Sequence, residues 1–526
     1  MQIFEIKLGT LFHQLFLSGI MFTTVITWIQ AEHQSTENNS YRELGYRLSK
    51  DVVPRHYNIS ITFSPLMSSF QAKCEIDIEI LKAISNISLH KSQRRTSPYI
   101  YPNRLDENIV NLYFDQVPPG NYTLLIPYKK FIHYDREEEG YLKLLFEPDA
   151  YHRMRHGPMR NGQHRLLATN IQSIEARKWF PCWDEPELKA TFQIRFKHEK
   201  KYKIWPSFSA ESIVQDKQNW IWTNFNITYP ISTYHVMFTL TDLELVQIST
   251  HTYVYKYEDR YEVENEHKYT SRPTSTEQYK ISMFKIWSRL SAKFTNFSEI
   301  VADKILKSEW YKKLPIRSTS REIYSTSSTD LIAIPAMKED VIGKWMLILY
   351  KESLVTYDEE IDSSAHKREV ASTLARGMVY QAIDNAITLS EWSHLWFKKG
   401  LAPLLHVELL DEIFPKWRFL DLFVVQVQQD CLRLDTDFTM KPLSYEVRTP
   451  SEIKSLFSFP IYIKAPVILR MIQHSMGNEF QEMIKKQTDT LRSDKADSSA
   501  RFDPRGNWEL FRSHGNHAVR LTALSE

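Results

Sequence analysis

Residues 175–186 run Glu175-Ala176-Arg177-Lys178-Trp179-Phe180-Pro181-Cys182-Trp183-Asp184-Glu185-Pro186, and Lys189-Ala190-Thr191-Phe192 follows shortly after. On both sides of this run, from about Tyr46 to Ile248, the sequence is strand-like. Tyr57-Asn58-Ile59-Ser60-Ile61-Thr62-Phe63 and Cys74-Glu75-Ile76-Asp77-Ile78-Glu79-Ile80 alternate with period two, which places one face of each strand in a core. Tyr234-His235-Val236-Met237-Phe238-Thr239-Leu240 closes the region in the same style. The expectation is an antiparallel β domain.

Beyond about Gln278 helix signals dominate. From Ala365 to Ile383 the residues Val370, Leu374 and Met378 fall at i, i+4 and i+8, one apolar stripe of an amphipathic helix. A second helical stretch runs from Leu389 through Leu410, with Trp392, Leu395 and Trp396 on one side and with Gly400 and Pro403 leaving its course open. Further helices are expected from Ile463 to about His474 and from Glu479 to Leu491.

Composition narrows the function. The chain has 526 residues, 42% hydrophobic and 25% charged, with a net charge of +2. That profile suits a globular protein with a large core, and it argues against a nucleic-acid partner. No Gly-rich phosphate loop of the Walker or dinucleotide type is present. Cys74, Cys182 and Cys431 allow one bridge at most and form no Cys-x-x-Cys pair.

Lys7 precedes an apolar run from Leu15 to Ile29, and Gln30-Ala31 leads into a polar stretch. Residues 1–31 therefore suit a cleaved signal peptide or a retained signal anchor. Either one sends the body of the protein outside the cytoplasm, secreted or tethered to the plasma membrane by its N-terminus. Sequons at Asn38, Asn58, Asn86, Asn121, Asn226 and Asn296 agree with that route. From Asp497 onward the chain is polar and offers no tail for a glycolipid anchor.

Three stretches, in order, resemble the zinc aminopeptidases of the aminopeptidase N type. Residues 175–186 closely match that family's Asp-Ala-Arg-x-x-Phe-Pro-Cys-Phe-Asp-Glu-Pro signature. Asp330-Leu331-Ile332-Ala333-Ile334-Pro335, then Trp345 and Tyr350-Lys351-Glu352, resemble the strand into and out of its Gly-Ala-Met-Glu-Asn motif. Asn385-Ala386-Ile387-Thr388-Leu389 and Leu395-Trp396-Phe397-Lys398-Lys399-Gly400-Leu401-Ala402 resemble its Asn-Leu-Val-Thr-Met and Leu-Trp-Leu-Asn-Glu-Gly-Phe-Ala segments without a gap. Pro442-Leu443 and Tyr462-Ile463-Lys464 extend the likeness. The resemblance implies a multidomain chain: an N-terminal antiparallel β domain at 46–250, then a thermolysin-like α+β peptidase domain at 251–511 with a degenerate active site. Residues 32–45 would be a polar linker and 512–526 an unmatched tail. Family members continue into further domains that close over the cleft, so a truncated member, or an incomplete gene model, is expected.

The resemblance also implies a mechanism against which this chain can be measured. Two His on one helix face and a Glu from the facing helix hold the catalytic zinc, and a Glu beside the first His is the general base. Those positions fall on Arg376-Gly377-Met378-Val379-Tyr380, with Lys399 at the third-ligand position after eighteen intervening residues. Arg and Lys are cations without a lone pair to offer, Tyr is a phenol and Gly377 has no side chain. The family's zinc is therefore expected to be absent. The Glu that binds a substrate's α-amine falls on Gly343. A competing register on Pro335-Ala336-Met337-Lys338-Glu339 would keep a carboxylate at the cost of a gap. The Gln that assists amine binding maps to Asn170, and the Tyr that stabilises the oxyanion survives as Tyr462, for which a packed Tyr is the plainer role. His394 is expected simply to be part of the fold.

Arg376 and Lys399 together would suit a pocket for a carboxylate of a peptide or glycan. The plainer expectation is that Asp384, Glu391 or Asp340 neutralises them. The expectation is thus an inactive family member that binds a peptide, protein or glycan outside the cell. The alternatives are an active metalloaminopeptidase and a degenerate product.

Overall fold

The computed structural model describes residues 48–484 except 92–100, 103–108, 133–139, 147–163, 257–278, 290–295, 312–325, 437–441, 481–483 and scattered positions of one or two residues. The N-terminal apolar run, the polar linker, Asn38, the C-terminal tail and most of the Glu479–Leu491 helix lie outside the described residues. The described residues belong to one compact unit, Arg47–Phe502.

The first half is built on a six-stranded sheet, ordered Ala210–Gln215, Trp220–Phe225, Thr191–Glu199, Val52–Phe63, Ser69–Ile80, Gly120–Phe131. Val52–Phe63 alternates buried and part-exposed residues on either side of a bulge between Pro54 and His56, as its period-two pattern requires. The sheet is antiparallel except in one place, where Val52–Phe63 pairs parallel to Thr191–Glu199. The intervening chain has room for the long crossover that a parallel pair needs. The buried rings of these two strands lie against each other: Tyr57 stacks on Phe192 at 4.7 Å and Phe63 on Phe196 at 6.1 Å.

A four-stranded sheet, Lys203–Pro206, Phe238–Thr241, His164–Asn170 and Gly140–Phe146, packs beside it. The Glu175–Pro186 run fills the space between. Trp179 and Trp183 are buried, and the Trp179 indole donates to the Gly140 carbonyl at 2.8 Å. Asp184 is fully buried; it accepts from Arg177 Nε at 3.1 Å and from Thr233 Oγ1 at 2.7 Å. A buried carboxylate without such donors would be costly, so these charges hold the turn in one conformation. Cys74, Cys182 and Cys431 are buried free thiols.

Tyr234 and His235 depart from the expected strand. They lie in a 3-10 turn, Thr233–His235, with the strand starting only at Phe238. Residues 231–241 are buried throughout, and ladder pairing with Lys203–Pro206 and His164–Asn170 takes in only Phe238–Thr241.

The second half opens with five strands among the described residues, in keeping with the expected α+β domain, although the residue pattern beyond Gln278 pointed mainly to helices. Leu245–Lys256, Tyr279–Arg289, Thr326–Ile334, Leu347–Lys351 and Val341–Lys344 form one sheet, parallel at its centre and closed by the antiparallel edge strand Val341–Lys344. Leu245–Lys256 runs across residue 250, the expected domain boundary.

Among the described residues four longer helices accompany this sheet: α1 (Asn296–Lys307), which lies between its strands Tyr279–Arg289 and Thr326–Ile334, then α2 (Ser364–Ala386), α3 (Leu395–Ile413) and α4 (Phe459–Met476). Ser363 caps α2 by accepting from the His366 amide, and Val370, Leu374 and Met378 are buried along its stripe. α3 begins six residues later than Leu389, after a 3-10 turn at Trp392–His394. α3 crosses α4 at Gly400, where a Cβ would come within 2.7 Å of the Ala465 methyl. Among the described residues no helix is long and apolar enough to cross a membrane.

Candidate functional site

α2 runs beneath the edge strand Val341–Lys344, and its C-terminal turns face the first turns of α3. Arg376, Tyr380 and Asp384 share one face of α2 by their spacing of four. The edge strand brings Gly343 and Lys344, α3 brings Lys398 and Lys399, and α4 brings Tyr462. The structure thus gathers the positions predicted from sequence, but it pairs their charges differently.

Arg376 Nη2 lies 2.9 Å from Asp340 Oδ2, one of the neutralising pairs foreseen. Lys399 has no such partner among the described residues. Its ammonium stands over the rings of Phe457 at 5.2 Å, Tyr380 at 5.5 Å and Tyr462 at 5.8 Å. Asp384 serves two other lysines: Lys398 Nζ at 2.9 Å on Oδ1 and Lys344 Nζ at 3.1 Å on Oδ2. Lys398 also reaches the Tyr234 hydroxyl at 3.2 Å, and His235 Nε2 donates to the Asp384 carbonyl at 3.1 Å. These contacts tie the 3-10 turn of the first half to the helices of the second. Glu391 pairs with His394 at 3.4 Å, which makes that buried histidine part of the fold.

Burial raises the Asp384 carboxyl, but Lys344 and Lys398 overcome it and hold the group well below the usual carboxylate range. Burial lowers both Lys344 and Lys399, with Asp384 pulling each of them back up. Lys398 is raised: Asp384 and Tyr234 outweigh its burial. Burial raises the Tyr380 phenol, and it pushes Tyr462 up to about 12. Both phenols are therefore protonated donors at neutral pH.

Gly377 and Gly343 lie close together. A Cβ at Gly343 would be 3.6 Å from the Gly377 carbonyl, and one at Gly377 would fall 2.7 Å from the Tyr350 ring. Tyr350 is fully buried and donates to the Leu374 carbonyl at 3.0 Å, so the general-base position is filled by its phenol. Asn170 donates to Glu339 Oε1 at 2.9 Å. Glu339 belongs to the competing register, and the structure sets its carboxylate on the residue expected to assist amine binding. The Asn170 Oδ1 and Glu339 Oε2 atoms are buried with no hydrogen bond.

Sequence reasoning considered Asp384 only as a partner for Arg376 or Lys399, and it assigned no role to Lys344 or Lys398. The one linear hint was a second lysine beside Lys399. It also passed over His152 and His156, four apart, with Glu175 after eighteen intervening residues. Both histidines lie outside the described residues, and Glu175 pairs with Lys178 at 3.5 Å.

Sequon positions Asn86, Asn121, Asn226 and Asn296 are exposed, while Asn58 donates to Glu75 at 2.9 Å.

The side chains at the expected ligand positions do not fit a zinc ion. A guanidinium tied to Asp340 and an ammonium have no lone pair to give it, and a protonated phenol is outside the usual Cys, His and carboxylate donor set. Among the described residues no three His, Cys, Asp or Glu converge as a metal site.

Comparison with known proteins bears on the same question. The family model of the peptidase M1 N-terminal domain matches residues 53–235, and that of the peptidase family M1 domain matches residues 317–499. Aminopeptidase A of Gloydius brevicauda is 26% identical over 457 residues, 84% of this chain and 43% of the relative. Aminopeptidase N of Canis lupus familiaris is 25% identical over 461 residues, 81% and 42%. The thyrotropin-releasing hormone-degrading ectoenzyme of Rattus norvegicus is 23% identical over 470 residues, 87% and 40%. The chain thus spans less than half the length of these relatives.

The matches overturn the expectation that zinc is absent. The matched family consists of zinc-dependent aminopeptidases, which makes zinc the cofactor that kinship predicts, and no finding here shows its loss. Arg376, Tyr380 and Lys399 nevertheless differ from the His and Glu ligands of that family. With both halves matched in order, and with aminopeptidases as its relatives, the chain belongs to peptidase family M1.

Proposed function

We propose that this chain is a non-catalytic member of the aminopeptidase N-like group that binds its ligand outside the cell or at its surface. One observation carries the reading: the general-base position is Gly377, backed by the buried Tyr350 phenol, so no carboxylate stands there to take a proton from water. The positions around it carry Arg376, Tyr380 and Lys399, which cannot act as a base in their protonated forms. The exposed sequons and the ectoenzyme among the relatives support the extracellular placement.

The second reading, an active aminopeptidase that removes N-terminal residues from peptides, draws on the family match and on Glu339. The Glu339 carboxylate beside Asn170 is suited to a substrate's α-amine. Purified protein supplied with zinc and incubated with a panel of aminoacyl anilides separates the two. The proposal expects no release above a heat-denatured control. Chelator-sensitive release would overturn it, and loss of that release in Glu339→Gln would establish the second reading.

A further inference from the structure

Lys344, Lys398 and Lys399 bring three ammonium groups into one largely buried corner, with Asp384 as the carboxylate among them. Both oxygens of Asp384 are occupied, one by Lys398 and one by Lys344. Lys399 is left over. It lies close enough to Asp384 and Lys398 for their charges to act on it, yet it has no carboxylate or hydrogen-bond acceptor among the described residues. The Phe457, Tyr380 and Tyr462 rings attract the cation through their faces, but they satisfy none of its three N–H donors. The Tyr380 and Tyr462 hydroxyls, both protonated, likewise have no hydrogen-bond partner among the described residues. The corner sits at the N-terminal turns of α3, whose dipole adds to the positive field. Arg376, the other cation of the region, is bound to Asp340 and does not join.

We propose that Lys399, with Lys344 and Lys398 behind it and the Tyr380 and Tyr462 hydroxyls beside it, is a binding site for a carboxylate group, the free end or acidic side chain of a peptide. One unpartnered ammonium and two hydroxyl donors match a singly charged, two-oxygen acceptor. The assignment rests on the non-catalytic reading, which leaves Lys399 and the two phenols free of any part in catalysis.

The test uses the full chain, with ionic strength held constant by chloride. Titration calorimetry compares an N-acetylated peptide bearing a free C-terminal carboxylate with the same peptide amidated, and acetate with inorganic phosphate. The acid peptide is expected to bind saturably and the amide not to bind. Lys399→Met, whose unbranched chain fills the same ring-lined slot, is expected to weaken binding about tenfold or more. Equal binding of acid and amide, or unchanged affinity in Lys399→Met, overturns the site. Phosphate binding tighter than acetate overturns the carboxylate assignment. Should Lys399→Met fail to fold, the acid–amide comparison on the unaltered protein still decides. Carboxylate binding together with anilide hydrolysis would keep this site and withdraw the non-catalytic reading. Hydrolysis without carboxylate binding would sink both.

Discussion

Gly377 shows how much one missing side chain commits its neighbours. Its Cα lies so near Tyr350 that any Cβ must displace a buried, hydrogen-bonded ring. Gly377→Glu is therefore expected to cost about 1–3 kcal/mol through overpacking, seen as a lower urea midpoint. An unchanged midpoint would mean that Tyr350 yields freely and that the site can readily be refilled. Arg376 and Lys399 show the opposite case, two cations whose neighbours decide their meaning. Arg376 is about one-third exposed and paired with a half-exposed Asp340, an arrangement that contributes little to stability. Lys399 is enclosed by rings, so its charge is available to a ligand in a way that Arg376's is not.

At the scale of elements, α3 does most to shape the site. Its first turns carry Lys398 and Lys399, Gly400 lets α4 approach, and Pro403 sits within it without ending it. One turn after Pro403 is His406, a buried imidazole whose Nε2 lies 3.3 Å from the Ser372 hydroxyl of α2. Burial, with Arg376 adding to it, lowers its pKa to about 4. The unfolded chain binds this proton first, near pH 6.5. His406 therefore contributes stability that is complete above that pH and is lost as pH falls towards 4. The loss amounts to roughly 3 kcal/mol over that window. Urea unfolding of the wild-type protein and of His406→Gln at pH 7 and pH 4.5 measures it. The variant should lose less stability between the two, and equal losses would show that the buried His406 imidazole is not a source of the acid sensitivity. α2 was legible from its stripe of buried residues, whereas the start of α3 was not. A helix buried on nearly all sides has no polar face to mark where its periodicity begins.

Across the whole molecule, polar contacts such as His235 to Asp384, Lys398 to Tyr234 and Asn170 to Glu339 join the two halves. Asp184→Ala, in the first half, leaves Arg177 buried without its partner and is expected to cost about 3–5 kcal/mol. If the halves unfold together, the helical far-ultraviolet signal of the second half melts at the same lowered temperature as the tryptophan signal around Trp179 and Trp183. Helices that melt at an unchanged temperature would show independent halves.

Periodicity did not reveal the five-stranded sheet of the second half, and only its Asp330–Pro335 run was read as a strand, through the family resemblance. Runs such as Leu331–Ile334 and Leu347–Tyr350 are buried on both faces, and an unbroken apolar run does not distinguish a strand from a buried helix segment. Family, fold class and the identities at the old catalytic positions were all present in the linear sequence, because long motifs and local periodicity survive without coordinates. The partnership of charges was not. Asp384 meets Lys344 from 40 residues away and Lys398 from 14, across three separate elements. Only the packing of an edge strand against two helices decides which cations share that carboxylate and which one is left without it.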